Sequence, residues 1–567
     1  MKSSSFCFSE KDLNREVKPS MFFCKKWVIV LIFSRITLVC IDIFLIFVVL
    51  KRKRSNINTM ANIVYKSYSQ NEIALFPLNL EEMIPASHRA RVVNAVIDRL
   101  DISAIEAKYK GGGTSIYHPR MLLKVITYAY LDNVYSGRRM ETLLAENVVY
   151  MWLSGMSRPD FRTINLFRSK RLRGVFEDIF TQVVTMLNEE GLVSLDVQYI
   201  DGTKIESAAN KYTFVWRKRV EKSKAKLESQ IRVVLAEAEE AVKSEEGGGV
   251  DGQPDEGDLK ARTENVLKKM DAAGIAKGAR RKAVEKVRDE MLPKKAEYEG
   301  HLERMGDRNS YSKTDTDATF MRMKEDHMMN GQTKPGYNVQ ISTENQFVTN
   351  YGIFQRPTDQ GTLIPYLGSF ERKYGRQSGT VVADSGYGSE QNYEYLFGNG
   401  IDAFVKYNMF HAEKKRKYHN DTFRVENLFY NRELDFYVCP MGQRLEHVKD
   451  EQRVSDLGYV STVGVYGAKR CDGCPMRGLC HKGKGPRTIE VNHRNNELRA
   501  KARGLLDSEE GLRHRSKRPI EPEAVFGQIK FDHGFKRFRL RSLEKVSVEF
   551  GLVALAHNLR KYAEKAA

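Results

Sequence analysis

The sequence predicts an α/β protein with a mixed sheet, preceded by an all-helical N-terminal domain. Three observations carry this. Apolar residues recur at helical spacing from Asn79 to Gly191. From Val193 onward, short β-branched runs alternate with helical stretches in the order strand, hairpin pair, helix, strand, helix, strand, late helix. Two of the runs flank the turn signal Glu344-Asn345, so they form a hairpin.

In the helical part, His118-Pro119 opens a helix through MLLKVITYAYLDNVY, with Pro at a tolerated first-turn position, and Gly137 is the expected stop. ETLLAENVVYMWLSG reads as a second helix. Ser157 to Asp160 caps a third, FRTINLFRSKRLRGVFEDIFTQVVTML, which carries Arg162, Arg168, Lys170, Arg171 and Arg173. That cluster is either a solvated basic edge or a helix-turn-helix-like DNA reader.

The strands follow. Val193 to Ile205 is strand-like and ends in a turn at Asp201-Gly202. Gly336 to Ser342 and Phe347 to Phe354 form the hairpin, and Thr362 to Tyr374 is helical. Thr380 to Asp384 is a short buried strand, Glu390 to Phe397 a helix, Ile401 to Tyr407 a strand, and a late helix lies around Glu521 to Ile529. Between them, Lys218 to Arg308 reads as a helical-hairpin arm. Its apolar stripe is Leu227, Ile231, Val234, Leu235, Ala238 and Val242. Ser244 to Asp258 is its linker, and the second half ends near Pro293.

The N-terminus differs from the rest. Trp27 to Leu50 is a 24-residue apolar run flanked by Lys25-Lys26 and by Lys51 to Arg54. Two readings stand: a membrane anchor with the bulk of the chain on the cytoplasmic side, or translation starting at Met60. The second is preferred, and a membrane partner is expected only if the extension is real. The resulting division is 1–59, 60–192 (helical, DNA-binding), 193–217 with 309–567 (catalytic), 218–308 (arm) and 408–510 (cysteine-containing insertion).

Composition narrows the partner. With 92 Lys plus Arg against 73 acids, the 567-residue chain carries a net charge of +19. That surplus favours a polyanion over a neutral small substrate. Seven cysteines in this length exclude a disulfide framework. Four of them, Cys439, Cys471, Cys474 and Cys480, cluster late with His481 in reserve, a set suited to a structural Zn2+ or to reduced thiols.

Two acids stand where apolar runs end, Asp201 after VQYI and Asp384 after TVVA. A metal-dependent phosphoryl-transfer site needs carboxylates on a rigid frame to clamp two cations roughly 4 Å apart. On the late helix Glu523 and Lys530 are seven apart, within a stretch where basic residues alternate with Phe526, Phe531, Phe535 and Phe538. Such a segment suits a DNA backbone.

Together YIDGTKIES, VVADSGYGS and IEPEAVFGQIKFDHGFKRF…HNLRK resemble insertion-sequence DDE transposases. These belong to the RNase-H-like, retroviral-integrase-like superfamily, in the branch with Glu, six residues, then Lys. The resemblance covers about Ser69 to Ala567. It implies an RNase-H-like catalytic domain and a triad of Asp201, Asp384 and Glu523 holding two Mg2+ ions, with Mn2+ able to substitute. It further implies Lys530 on DNA phosphate, with Arg518, Lys536, Arg537 and Arg539 as further DNA contacts. The implied activity is cleavage and strand transfer at terminal inverted repeats. The implied partners are double-stranded transposon-end and target DNA, bound by a homodimer in a bacterial cytoplasm. The branch also carries a Tyr and an Arg before the Glu, the Arg four positions upstream; here those positions are Ser516 and Pro519, with Arg518 alongside. Glu521 competes with Glu523, but Gln528, not a Lys, lies seven beyond it. The alternatives are a non-catalytic DNA-binding protein and a generic RNase-H-like nuclease.

Overall fold

A computed structural model describes residues 79–109, 116–246, 258–324 and 331–566. All of them lie in one compact unit, Leu78–Ala567. The expectations for Trp27 to Leu50 and Met60 fall outside the described residues. Among the described residues, no helix is long and apolar enough to cross a membrane.

The main sheet is mixed. Strand β1 (Val197–Glu206) pairs antiparallel with β5 (Thr333–Glu344) and parallel with β7 (Thr380–Ala383), which in turn pairs parallel with β8 (Asp402–Val405). The other edge of β5 is shared by β4 (Thr319–Arg322) and β6 (Phe347–Phe354). The expected hairpin is β5–β6, but its turn sits one residue later than the sequence suggests. Asn345 and Gln346 take φ of 53° and 62°, the left-handed conformation that tight hairpins need.

One face of this sheet meets the N-terminal helices and the C-terminal helix Leu543–Ala566. Leu552, Leu555 and Leu559 of that helix are fully buried with Val339, Ile341 and Phe347 of the sheet. Each such side chain contributes roughly 1.5–3 kcal/mol relative to exposure. The other face carries the helices Leu363–Tyr374 and Glu390–Gly398, together with His493–Asp507, which docks through Leu498 and Ala502.

Several helix expectations need correction. Pro119–Leu131 ends at a turn in which Asn133 is left-handed (φ 59°), while Gly137 starts the next helix instead of stopping this one. Asn147 then caps a separate short helix by accepting from Val149 N–H, which splits the second expected helix. The third expected helix is also two. Phe161–Leu166, capped by Asp160, runs into a π turn, and Phe176–Glu189 begins after left-handed Gly174.

Its basic cluster is divided between internal contacts and the surface. Arg168 is buried and donates to Tyr130 Oη at 2.8 Å and Asn165 Oδ1 at 3.0 Å. Arg171 lies over the Tyr109 ring, and Arg173 pairs with Glu544 at 3.0 Å. Arg162 and Lys170 remain exposed.

The arm is inserted between β2 (Phe214–Trp216) and β3 (Ser310–Ser312), which pair antiparallel and close its root. Its first helix is Arg217–Glu246; Ile231, Leu235, Ala238 and Val242 pack on Leu259, Val266 and Met270 of the helix Leu259–Ala272. The arm does not end at Pro293. A π turn at Val287–Met291 leads into the helix Leu292–Met305 with Pro293 in its first turn, where a missing N–H is tolerated.

Between β8 and the helix His493–Asp507 lies a second, antiparallel sheet that the sequence reading did not foresee. Its strands are β9 (Phe429–Asn431), β10 (Phe436–Val438), β11 (Arg444–Val454), β12 (Val460–Ala468) and β13 (Thr488–Val491).

Candidate functional site

The site forms where β1 outruns β7. Tyr199 pairs with Val382 in parallel register, and two residues further along are Asp201 and Asp384, side by side at the carboxyl end of β7. Asp201 is not a strand terminus, as expected from its Asp-Gly pair. β1 continues through Gly202 to Glu206 against β5. Gly202 serves close approach instead of a turn: a Cβ there would lie 2.3 Å from Gln340 Nε2 and 2.7 Å from Asp359 Oδ1.

Asp384 begins the loop Asp384 to Gly388. A Cβ at Gly388 would meet the Lys406 carbonyl oxygen at 2.2 Å, so this loop sits hard against the end of β8.

Glu523 comes from the C-terminal half. The helix Glu509–Lys517 is seated by His514, whose Nδ1 is 2.8 Å from Tyr199 Oη and whose ring contacts Phe404. Arg518 follows, then a π turn, Pro519–Glu523, then Ala524–Gly527. Val525, Phe526 and Ile529 bury this segment in the core shared with Ile205, Val339 and Ile341.

The π turn explains the displaced arginine. Ala524 N–H reaches the Pro519 carbonyl, five residues back, and a turn closed at that spacing stacks residues five apart. Arg518 therefore stands over Glu523, although an α-helix would have given that place to Pro519.

The three acids converge on this one guanidinium. Arg518 Nη1 donates to Glu523 Oε1 at 2.5 Å and Nη2 to Asp201 Oδ1 at 3.2 Å, and Asp384 Oδ2 lies 3.8 Å from Nη2. Arg518 and Asp201 are nearly buried, whereas the Asp384 and Glu523 side chains are about half exposed. Burial raises the Asp201 carboxyl pKa, opposed by Lys324 and Arg518. Among the described residues no group of three or more His, Cys, Asp or Glu could hold an ion as it stands.

Cations ring the acids. Lys324 donates to the Gly202 carbonyl at 3.1 Å. Lys406, just past β8, has its pKa lowered by burial and by Arg518, against the pull of Asp384 and Glu523. The sequence reading missed both. Lys406 follows its strand as Asp384 follows TVVA, so the same strand-end argument could have found it; Lys324 gave no signal. It also missed the polar layer behind Gly202, where Asn338 and Gln340 donate to Asp359 Oδ1 at 2.7 and 2.8 Å.

The remaining expected residues separate. Glu521 is buried and accepts Gln346 N–H at 2.8 Å, pinning the β5–β6 turn, which leaves Glu523 as the acid facing the site. Lys530 is buried and donates to the Lys204 carbonyl at 3.3 Å, bracing β1. Arg537 bonds the Ser207 and Ala209 carbonyls at 2.9 and 3.0 Å. Lys536 and Arg539 are exposed, Lys536 over the Phe531 ring.

The four cysteines and His481 line one cavity of about 240 Å³ in the second sheet's region. Three of the sulphurs accept hydrogen bonds: Cys439 Sγ from Gln443 N–H, Cys471 Sγ from Arg487 N–H, and Cys480 Sγ from the Arg487 guanidinium.

Comparison with known families matches two stretches. Residues 438–563 match the family described as Transposase DDE domain, and residues 78–170 match the family described as Transposase domain (DUF772). The first stretch contains Glu523 and the cysteine cluster; Asp201 and Asp384 lie outside both. No curated protein and no solved structure matches the chain. A transposase signature therefore lies near each end of the folded unit, and the chain is similar over these two stretches to insertion-sequence DDE transposases.

Proposed function

We propose that this transposase binds the terminal inverted repeats of its insertion sequence and performs divalent-metal-dependent strand cleavage and transfer with Asp201, Asp384 and Glu523. The observation that carries the proposal is the reach of a single guanidinium to all three carboxylates. Hard carboxylate oxygens gathered around one cation are the donor chemistry that Mg2+ or Mn2+ takes. The strand order β6-β5-β1-β7-β8, antiparallel then parallel, supports the RNase-H-like reading of the frame.

Asp201, Asp384 and Glu523 would hold the ions, which supply Lewis-acid activation of the attacking and departing oxygens. The rest of the chemistry falls to the chain. Asp201 is fixed by the pairing of β1 with β5, where it faces Ile341, and Glu523 by the buried Val525, Phe526 and Ile529, so neither needs to be ordered on binding. Lys324 and Lys406 offer positive charge to a phosphodiester entering beside Asp384, and Lys536 and Arg539 extend that charge outward.

Plasmid excision with Mg2+ tests the assignment. Asp201→Ala, Asp384→Ala and Glu523→Ala each abolish cleavage while retaining DNA binding; full cleavage by any of them removes that residue from the site.

The four cysteines lining one cavity have the donor chemistry for a structural zinc, and to hold it they would have to draw closer together than they stand. The backbone and guanidinium N–H groups directed at three of the sulphurs are donors of the kind that surround cysteine ligands of a metal. About one equivalent of zinc per purified chain is expected; a value well below that refutes it.

A further inference from the structure

We propose that Arg518 is an internal counter-ion of the three-carboxylate site: it holds Asp201, Asp384 and Glu523 while no divalent ion is bound, and it competes with that ion for them. The inference rests on the metal reading above and concerns the order in which the site is armed.

Three observations on Arg518 carry it. Its guanidinium contacts all three acids at once, through two nitrogens. It is itself nearly buried, 6% exposed, so its charge is poorly screened and its position is not that of a side chain sampling solvent. Its Nε is buried and makes no hydrogen bond to any described residue. An arginine placed only to be satisfied would spend that donor; this one is held by the acids alone.

The local backbone makes the contact unavoidable. His514, wedged between Tyr199 and Phe404, fixes the helix that ends at Lys517, and the π turn brings Arg518 over Glu523. The chain has other π turns, at Phe167–Arg171 and Val287–Met291, so what matters at this one is its position. Here it puts a cation at the point where three acids meet. Without that cation, Asp201, which is nearly buried, would face the Glu523 carboxylate with Lys324 and the Gly202 N–H as its remaining compensation. That is an expensive arrangement. With it, the resting site is charge-balanced but closed: two of the acids spend an oxygen on the guanidinium, and the three are held around it. A divalent ion must break charge-assisted hydrogen bonds to enter.

The consequence is a sign that a merely structural arginine would not give. If Arg518 only shaped the site, removing it would weaken metal binding. As a competitor, removing it strengthens metal binding and weakens the metal-free fold.

The test is Mn2+ titration of the full chain without DNA, by isothermal titration calorimetry, with Asp201→Ala as the control that loses the site. Arg518→Gln, which keeps amide donors but drops the charge, and Arg518→Ala are expected to bind Mn2+ about tenfold more tightly than the unsubstituted protein, equivalent to roughly one strong charge-assisted hydrogen bond. Arg518→Lys, retaining the charge without the fork, falls between. In EDTA the Gln and Ala variants melt below the unsubstituted protein, and Mn2+ raises their melting temperature more.

Equal or weaker Mn2+ binding by folded Arg518→Gln, with binding by the unsubstituted protein intact, overturns the counter-ion role and leaves the metal reading standing. No Mn2+ uptake by any of these proteins overturns both.

Discussion

Replacing Glu521 and Glu523 one at a time should separate folding from chemistry within three residues. Glu521 is 7% exposed, and its carboxylate accepts the N–H of Gln346, a residue held at φ 62° in the β5–β6 turn. The same Gln346 is gripped by His557 Nε2 at its carbonyl, 2.9 Å away, and by Lys561 at its side chain. Glu521→Ala removes an ionic acceptor and leaves a turn N–H without its partner, a loss of about 1–3 kcal/mol. Glu523 has a half-exposed side chain and, among the described residues, Arg518 as its ion-pair partner. Its replacement by Ala should change stability by less than about 1 kcal/mol, because water screens the exposed end. The two variants are compared by urea unfolding and by plasmid excision at a temperature where both are folded. Glu521→Ala is expected to shift the unfolding midpoint down and still cut; Glu523→Ala should unfold like the unsubstituted protein and not cut. A folded Glu521→Ala that fails to cut, beside a Glu523→Ala that cuts, would refute the argument from burial.

Three further outcomes follow from other parts of the molecule. Gly551→Ala would place a Cβ 2.4 Å from Tyr351 Oη and 2.7 Å from Phe176 Cε1, so overpacking should cost about 1–3 kcal/mol in urea unfolding; a neutral result would mean that this helix–sheet contact can relax. Burial lowers the pKa of His557 from 6.5 to about 4, so the unfolded chain takes up a proton that the folded one resists. Its contribution is full above pH 6.5 and is lost as pH falls toward 4, up to about 3 kcal/mol; His557→Gln should flatten that part of the stability–pH curve, and an unchanged slope would show that the proton is taken up elsewhere. Chelation, or Cys474→Ser, should lower the melting temperature by loosening the second sheet's region, while the intact main sheet keeps the near-ultraviolet signal of its buried tyrosines; an identical melt with and without chelator would refute the zinc reading.

Most of the frame was legible in the sequence because the relevant signals are local. Alternation and β-branching marked β1, β5, β6, β7 and β8 within a few residues, and the stripe from Ile231 to Val242 marked the arm. Strand-end position drew attention to Asp201 and Asp384, and the resemblance to insertion-sequence transposases added Glu523; the fold brings all three to one arginine. The β9–β13 sheet was missed because its strands are short or, in β11, polar and exposed, so period-two burial leaves little trace.

What the amino-acid order determined alone was therefore the kinds of element and the acids available to a site. Those follow from the propensities and periodicities of neighbouring residues. Only the tertiary structure decided that Asp201 is an interior strand residue and that Glu521 is a turn anchor. Only it decided that Arg518, one position out of the expected place, is the cation between the acids. Each of those outcomes depends on contacts across more than a hundred residues: Gly202 yielding space to Asp359, Gln346 meeting Glu521, and a π turn lifting Arg518 over Glu523 against β1. No local pattern encodes them, because the interaction energy is created when distant segments pack.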